Sequence, residues 1–500
     1  MQPSPAKRRI TLGTKLFYGF GSVAFGVKDQ GFQYLLLLYY NQVLHVPTSQ
    51  LGPALLIVLI VDACLDPIIG NWSDRVHSRW GRRHPFLYAT ALPVSLCYML
   101  VWDPPAAVIG PGLVYYLVGI AILVRFFITL YEIPSSALAP ELTDNYHDRT
   151  SLLGFRALFG WTGGLTMAFL AFGVFLKPDA EHPSGQLNPA GYAAYGHAAA
   201  VIMFIAIMIS ALGTHRHIPD LKAAPPKQPF ALGRVVREMI ETVSHRSLLM
   251  LLAGGLFANM AIGLAASLTY YFFTYFWEFT QEQILVMLLS NVISAVLALP
   301  GATILSRRLG KKRAALTLWS IALPLLPLPL LLRLVGWFPE NGEPALLPIM
   351  FGISVVMVGL FIATGIVTGS MIADIVEDGQ LTTGRRSEGL YFAANSFLQK
   401  FTSGIGIYAA TVLLSVIGFP ADAKPGQVDP AVLRNLVLVY APTVTVLFLV
   451  AMVFVSRYRI DLKTHEANLA RIAAGEAPVV QPVALARAGA PPVRGAEIPL

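Results

Sequence analysis

Cysteine is almost absent from this chain, which has two, Cys64 and Cys97, among 500 residues. Both lie within apolar stretches, so neither a disulfide framework nor a zinc cluster is expected. Charged residues are also scarce, at 13% of the chain, and no Walker-type Gly-Lys-Ser/Thr sequence occurs. These scarcities argue against an ordinary soluble domain and against an ATP-driven pump within this chain.

Apolar residues are abundant where charged residues are scarce. Hydrophobic residues make up 55% of the sequence, and the mean hydropathy is +0.62. Apolar runs of about 20 residues, the length that crosses a bilayer as a helix, recur along the chain. We therefore predict an all-α membrane protein with about twelve transmembrane helices, spans 1 to 12, at residues 16–44, 49–73, 85–103, 110–138, 152–176, 194–214, 247–277, 283–305, 314–336, 345–373, 388–419 and 432–456.

Basic residues are concentrated in the loops that follow even-numbered spans, as with Arg82 and Arg83 after span 2 and Lys311 and Lys312 after span 8. Short loops rich in Lys and Arg stay in the cytoplasm. We therefore expect a multi-pass protein of the bacterial inner (plasma) membrane with both termini cytoplasmic. This bias and contact with anionic lipid account for the net charge of +8, so no nucleic-acid partner is expected.

One basic loop is repeated in the two halves of the chain. Residues 79–83 read Arg-Trp-Gly-Arg-Arg and residues 308–312 read Arg-Leu-Gly-Lys-Lys, each between the second and third span of its half. Such a repeat predicts two six-helix pseudo-symmetric bundles around a central cavity, as in the major facilitator architecture. The expected parts are a cytoplasmic N-terminal segment 1–15, bundles 16–214 and 247–456, a central cytoplasmic loop 215–246 and a disordered cytoplasmic tail 457–500.

Two acids, Asp62 and Asp66, interrupt the otherwise apolar span 2. An ionised side chain at the bilayer centre costs at least ~2.5–3.5 kcal/mol on insertion scales, so it usually faces a polar cavity, a counter-ion or a transported cation. Four residues apart on a helix, the two carboxyls share one face within about 6 Å. We interpret the pair as a cation or proton site.

Further charges lie within the spans: Lys28 and Asp29 in span 1, Arg125 and Glu132 in span 4, Arg156 in span 5 and Lys400 in span 11. Structural ion pairs that lock helices together are one interpretation, above all for Lys28. Arg125 and Glu132 lie on one helix stripe, roughly 10 Å apart along the axis. Several charges near one depth favour a working polar site. Pro67 and Pro134 support it, since each frees a backbone carbonyl one turn back.

Four segments resemble the glycoside–pentoside–hexuronide:cation symporters, the family of the melibiose permease. They are residues 61–70 with the paired acids and a proline, the basic loop 79–85, residues 132–134, and residues 373–379, which are followed by Arg386-Ser387-Glu388 and by Lys400. The resemblance covers both halves, from about residue 12 to residue 456. It implies the major facilitator fold and cation-coupled sugar transport.

The resemblance also implies a role for each matching residue. Substrate hydroxyls would donate hydrogen bonds to carboxylates and accept them from an arginine, and a lysine would stand between the cation and the sugar. The implied cation-binding residues are Asp62, Asp66 and Thr129, the implied substrate-binding residues are Asp29, Glu132, Arg156, Asn395 and Ser396, and the implied coupling residues are Lys28 and Lys400.

This chain departs from the family pattern at the cation site. Leu65 stands where sodium-using members have an asparagine ligand, which removes one neutral oxygen. A proton needs a carboxylate and no coordination shell, so a proton is favoured as coupling ion. Na⁺ at Asp62 and Asp66 is the alternative.

The substrate side departs as well. Ser136 and Gly365 stand where stacking tryptophans are expected, so we predict a wider and less aromatic cavity. Arg125 has no counterpart in the family pattern. Facing the cavity, it would suit an acidic substrate such as a hexuronide, because guanidinium grips carboxylate with two parallel hydrogen bonds. Alternatively, Arg125 neutralises Glu132.

We therefore predict a secondary active transporter, not an enzyme, that needs no cofactor and couples uptake of a glycoside or hexuronide to a cation by alternating access. Its expected partners are a small-molecule substrate and membrane lipid, and it is expected to be a monomer. A related facilitator branch with the same paired acids moves lysophospholipids, so transport of an amphiphile is the alternative. An intramembrane aspartyl protease would need a Gly-x-Gly-Asp sequence, which this chain lacks, and a retinal-type pump would have seven spans.

Overall fold

The computed structural model describes residues 10–76, 78–143, 145–221, 246–383 and 388–458. All regular structure in these residues is helical, which confirms the predicted fold class. Most of the predicted tail, most of the central loop and most of the N-terminal segment lie outside the described residues.

Every predicted span corresponds to helical structure. Span 1 comprises Leu12–Phe20, Ser22–Gln30, Gly31–Leu35, Leu36–Leu38 and Tyr39–Val43; spans 2 to 6 comprise Thr48–Arg75, His84–Trp102, Leu113–Leu142, Tyr146–Leu170 with Ala171–Phe175, and Pro189–His215; spans 7 to 12 comprise Arg246–Tyr271 with Phe272–Phe276, Gln281–Leu309, Lys311–Leu325 with Leu328–Leu334, Leu346–Thr383, Glu388–Val416, and Pro430–Ser456.

Ten helices in the described residues are long and apolar enough to cross a membrane. The other two predicted spans are also helical. Span 1 is divided into short pieces, and span 11 contributes the shorter apolar stretch Gly404–Val416. We call the end of the molecule with the loops after even-numbered spans the basic end, and the opposite end the distal end.

Local signals explain where two helices start at the distal end. Thr280 and Gln283 form a reciprocal capping box at the start of span 8, which satisfies two backbone N–H groups that the first turn leaves open. Asp429 caps span 12 through the backbone N–H of Ala431, and proline occupies the first helical position after it, where a missing N–H costs nothing.

Spans 1 to 6 pack mainly against one another, as do spans 7 to 12. Between the halves, span 2 packs against span 11, and the distal parts of spans 1 and 5 meet spans 7 and 8. The repeated basic loops have equivalent partners. Arg82 binds Glu141 at the end of span 4, with 2.8 Å between Nη2 and Oε1, and Lys311 binds Asp374 of span 10, with 2.5 Å between Nζ and Oδ1. Each half thus ties its second loop to its fourth span.

Glycines allow spans 1 and 5 to approach closely. A Cβ atom added at Gly26 would lie 1.8 Å from the carbonyl oxygen of Gly160 and 2.8 Å from the backbone nitrogen of Gly164. Small residues spaced four apart let transmembrane backbones touch, and packing supplies much of the association energy within a bilayer. This contact brings residues of span 1 against residues of span 5.

The distal parts of spans 1, 5 and 7 contain π-helical turns, including Tyr39–Val43 and Phe272–Phe276. Two residues after these two segments come His45, with φ of 56°, and Glu278, with φ of 49°, the non-glycine residues of positive φ in the described part of the chain. Spans 1 and 7 are the first of their halves, so the same irregular ending recurs in both. It lies where the halves meet.

Hydrogen bonds close the distal end. Gln42 donates to the carbonyl oxygen of Pro420 at 2.9 Å and accepts from the Tyr275 hydroxyl at 3.0 Å, and the Tyr271 hydroxyl donates to the side-chain oxygen of Asn41 at 2.8 Å. We call these five residues the distal seal. Six further hydrogen bonds join the halves between the level of Gln33 and the distal end.

We predict that Gly26→Ala lowers the stability of the protein by about 1–3 kcal/mol, because an added methyl group must separate two touching backbones. Thermal unfolding of the purified protein in detergent measures the change. Gly154→Ala in span 5 is the matched control, since a Cβ there meets nothing within 4 Å. Equal melting temperatures for the two variants would contradict this account of the span 1 to span 5 contact.

Candidate functional site

A cavity of 870 Å³ lies between the two halves. Its polar side chains come mostly from the first half: Ser22, Asp29, Gln30, Gln33, Glu132 and Arg156. The second half contributes mainly apolar and aromatic walls from spans 7 to 10 and 12, including Tyr270, Phe273, Trp277, Met350 and Phe361. The cavity is therefore polar on one side and apolar on the other.

Asp29 and Lys28 form an ion pair at the wall of span 1. The Lys28 ammonium is bound to Oδ1 of Asp29 and lies 4.4 Å from the ring centroid of Phe25. The lysine side chain is 3% exposed and the aspartate side chain 44% exposed. The carboxylate therefore faces the cavity, and the lysine supports it from behind.

Glu132 and Arg156 form the second charged pair of the wall. The guanidinium of Arg156 donates to the Ser135 hydroxyl at 2.8 Å and to the Glu132 carbonyl oxygen at 3.3 Å, and lies 3.9 Å from the Glu132 carboxylate. Pro134 lies in the same helical turn, and a proline cannot donate the backbone hydrogen bond that a helix normally has there. The arginine of span 5 is thus anchored to the turn of span 4 that carries the acid.

The third pair lies outside the cavity lining. Arg125 Nη1 is 2.9 Å from Oδ2 of Asp62, and the hydroxyl of Thr129 donates to Oδ1 of the same carboxylate at 3.4 Å. The Arg125 guanidinium carbon also lies 5.2 Å from the ring centroid of Phe32. Asp62 and Thr129, both predicted at the cation site, are therefore together. Asp66 lies one turn further along span 2 and is partly buried.

Arg125 is not where either sequence interpretation put it. It does not line the cavity, and its partner is Asp62 of span 2 instead of Glu132 of its own helix. A separation of seven residues keeps Arg125 and Glu132 two turns apart, whereas spans 2 and 4 pack side by side. The guanidinium consequently binds the nearer acid.

The cavity has aromatic walls, although not at the two positions that the sequence comparison considered. Trp161, Tyr270 and Trp277 are among its lining residues, whereas Ser136 and Gly365 are not. The Ser136 hydroxyl donates to the carbonyl oxygen of Ile133 in its own helix. The aromatic walls escaped sequence reasoning because an aromatic residue within an apolar span does not stand out.

Sequence reasoning also missed Gln30 and Gln33, although the sequence held a signal for Gln33. Gln33 follows Asp29 by four residues, which places the two side chains on the same face of a helix. The side chains of Asn395, Ser396 and Lys400 lie outside the described residues, so their predicted roles stay predictions.

These groups suit reversible binding of a polyhydroxylated ligand. The described residues contain no cluster of three or more His, Cys, Asp or Glu side chains that could hold a metal ion. Carboxylates, amides and one guanidinium facing an aromatic wall form a site that can hydrogen-bond hydroxyl groups and pack against an apolar surface at once.

Comparison with known proteins agrees with this architecture. The isoprimeverose transporter of Lactiplantibacillus pentosus is 26% identical, with 81% of this chain and 80% of that protein covered. The glucuronide carrier protein homolog of Escherichia coli is 25% identical, with 83% and 86% covered. Among solved structures, a D-xylose-proton symporter superposes with a TM-score of 0.59 at 15% identity, over 90% of this chain and 98% of that one.

The fold of the solved symporter is the major facilitator fold. The family model described as MFS/sugar transport protein matches residues 17–462, nearly the whole described chain. The sequence resemblance and the two-bundle architecture agree with this match. This protein is a multi-pass integral membrane transporter and belongs to the MFS/sugar transport family.

Proposed function

We propose that this transporter takes up a neutral glycoside together with a proton by alternating access. The observation that carries the proposal is the meeting of Asp29, Glu132 and Arg156, from three different spans, in one cavity between the halves. A sugar offers hydroxyl groups that donate to the two carboxylates and accept from the guanidinium. Such hydrogen bonds to charged groups contribute about 1.5–3 kcal/mol each.

The aromatic wall complements these polar groups. Trp161, Tyr270 and Trp277 can cover the C–H face of a sugar ring while its hydroxyls point to the polar side. Gln30 and Gln33 add amides that both donate and accept. An aglycone or second sugar has space as well, because the cavity measures 870 Å³.

Charge favours a neutral substrate over a hexuronide. Among the described lining residues Arg156 is the one cation, and it is already engaged with Ser135 and Glu132. Arg125, which would have gripped a substrate carboxylate, is bound to Asp62. A hexuronide would therefore bring a third carboxylate close to Asp29 and Glu132, and its desolvation would need a counter-ion.

Transport requires the distal seal to open and the cavity to close at the basic end. By the distribution of basic loops, the basic end is cytoplasmic, so the closed distal seal corresponds to a state that faces the cytoplasm. We place the coupling ion at the acids of span 2. Binding of substrate and ion then favours rocking of the two halves about the central site.

A lysophospholipid or similar amphiphile is the second candidate, and one observation favours it. The wall of the second half is mainly apolar over spans 7 to 10, with Met350 and Phe361 among its residues, so it could hold an acyl chain. The polar wall opposite would then bind the headgroup.

We predict that isothermal titration calorimetry of the purified protein detects binding of a neutral glycoside from a panel of glycosides, hexuronides and lysophospholipids. Glu132→Gln keeps the shape of the side chain but loses a charged acceptor, so it should weaken that binding roughly 10- to 100-fold. Asp103→Asn is the control, since this acid is half exposed in the loop after span 3.

Binding of a hexuronide but not of neutral glycosides would contradict the charge argument. Binding of a lysophospholipid alone would replace the sugar proposal with the second candidate. Equal affinity in the Glu132→Gln variant would show that the ligand does not contact this wall.

We predict that Asp66→Asn abolishes glycoside accumulation driven by a pH gradient while exchange of internal for external glycoside continues. During exchange the carrier returns with substrate bound and does not have to release its ion. Accumulation, by contrast, needs an acid that releases its ion inside. Proteoliposomes with an imposed pH gradient measure both processes, and Asp103→Asn is again the control. Undiminished uphill uptake in the Asp66→Asn protein would remove Asp66 from the coupling site.

A further inference from the structure

Both carboxylate oxygens of Asp62 are engaged by side chains of span 4. The guanidinium of Arg125 binds Oδ2 at 2.9 Å, and the hydroxyl of Thr129 donates to Oδ1 at 3.4 Å. The Asp62 side chain is 5% exposed and the Arg125 side chain 16% exposed. An external cation therefore meets a carboxylate that already has a charged and a neutral partner.

The guanidinium is held from two sides. One side binds Asp62, and the ring of Phe32, itself buried, lies 5.2 Å from the guanidinium carbon. An arginine over an aromatic face gains a cation–π attraction. Because Arg125 does not line the cavity, it is not positioned to bind substrate.

A sodium or lithium ion at Asp62 would have to displace this guanidinium. Displacement would leave a buried arginine without its anion, since a chain-borne cation cannot diffuse away. Breaking a buried ion pair in this way is strongly unfavourable and corresponds to a loss of roughly 10²- to 10³-fold in affinity for the incoming ion. A tethered cation also needs no entry path and is present at every ion concentration.

We propose that Arg125 is a resident counter-ion that takes the place of an external metal cation at Asp62, so that this carrier does not bind Na⁺ or Li⁺ there. The arginine thus determines ion selectivity through its contact with the acid. The inference refines the ion site of the proposed function, but it concerns ion binding alone and does not depend on the identity of the sugar.

The test is thermal unfolding of the purified, full-length protein in NaCl, LiCl or choline chloride at equal ionic strength, with equilibrium binding of radioactive Na⁺ in parallel. A ligand that binds only the folded state raises its stability in proportion to the logarithm of its concentration over Kd. The wild-type protein should respond equally to the three salts. Arg125→Gln should gain saturable Na⁺ binding, at least ~100-fold tighter than any in the wild type.

Two variants separate ion binding from general loss of structure. Arg125→Lys keeps a chain-borne cation and should stay insensitive to Na⁺, and the double variant Arg125→Gln with Asp62→Asn should lose the binding that the single variant gained. No gain of Na⁺ binding in a folded Arg125→Gln protein overturns the proposal. Should that variant fail to fold, the wild type decides: a Na⁺ response that Asp62→Asn removes overturns the proposal, and its absence supports it. The test uses no sugar, so its result can be interpreted even if no glycoside of the panel binds.

Discussion

Charge buried in an apolar medium must be neutralised nearby, and this constraint organises the centre of the molecule. In the described part of the chain, three ion pairs satisfy it: Lys28 with Asp29, Arg125 with Asp62, and Arg156 with Glu132. The second pair joins span 2 to span 4, and the third joins span 4 to span 5. The partners that make the charges tolerable also hold the spans of the first half in register, so binding site and scaffold are built from the same contacts.

The two halves have the same arrangement of spans but contribute different kinds of side chain to the cavity. Each ties the basic loop after its second span to its fourth span, through Arg82 and Glu141 in one half and Lys311 and Asp374 in the other. Yet the described charged groups of the cavity come from the first half, whereas the second half supplies most of its apolar wall. A substrate between them is oriented by one half and covered by the other, which makes its release sensitive to how the halves separate.

The sequence predicted the spans and the two halves, because hydropathy and basic loops are strong local signals, and the family resemblance implied that Asp29, Glu132 and Arg156 share the substrate site. It could not predict the partner of Arg125. Spacing along one helix showed that Glu132 was two turns away, but the contact with Asp62 depends on the rotation of span 4 against span 2, which no local pattern records. The aromatic wall escaped for a similar reason, since Trp277 and Tyr270 face the cavity only through the packing of span 7.

The irregular endings of spans 1 and 7 have a consequence for the evolution of the distal end of the protein. A π-helical turn holds one residue more than the α-helical turn it replaces, and one residue turns an α-helix by about 100°. If Phe272–Phe276 lost a single residue and became regular, the side chains beyond it would keep their faces, whereas loss of the bulge without a deletion would turn them to another face. Each bulge therefore lets a helix hold one extra residue without turning the side chains that the two halves present to each other, so a single insertion or deletion at this end can be absorbed while the bundle stays intact.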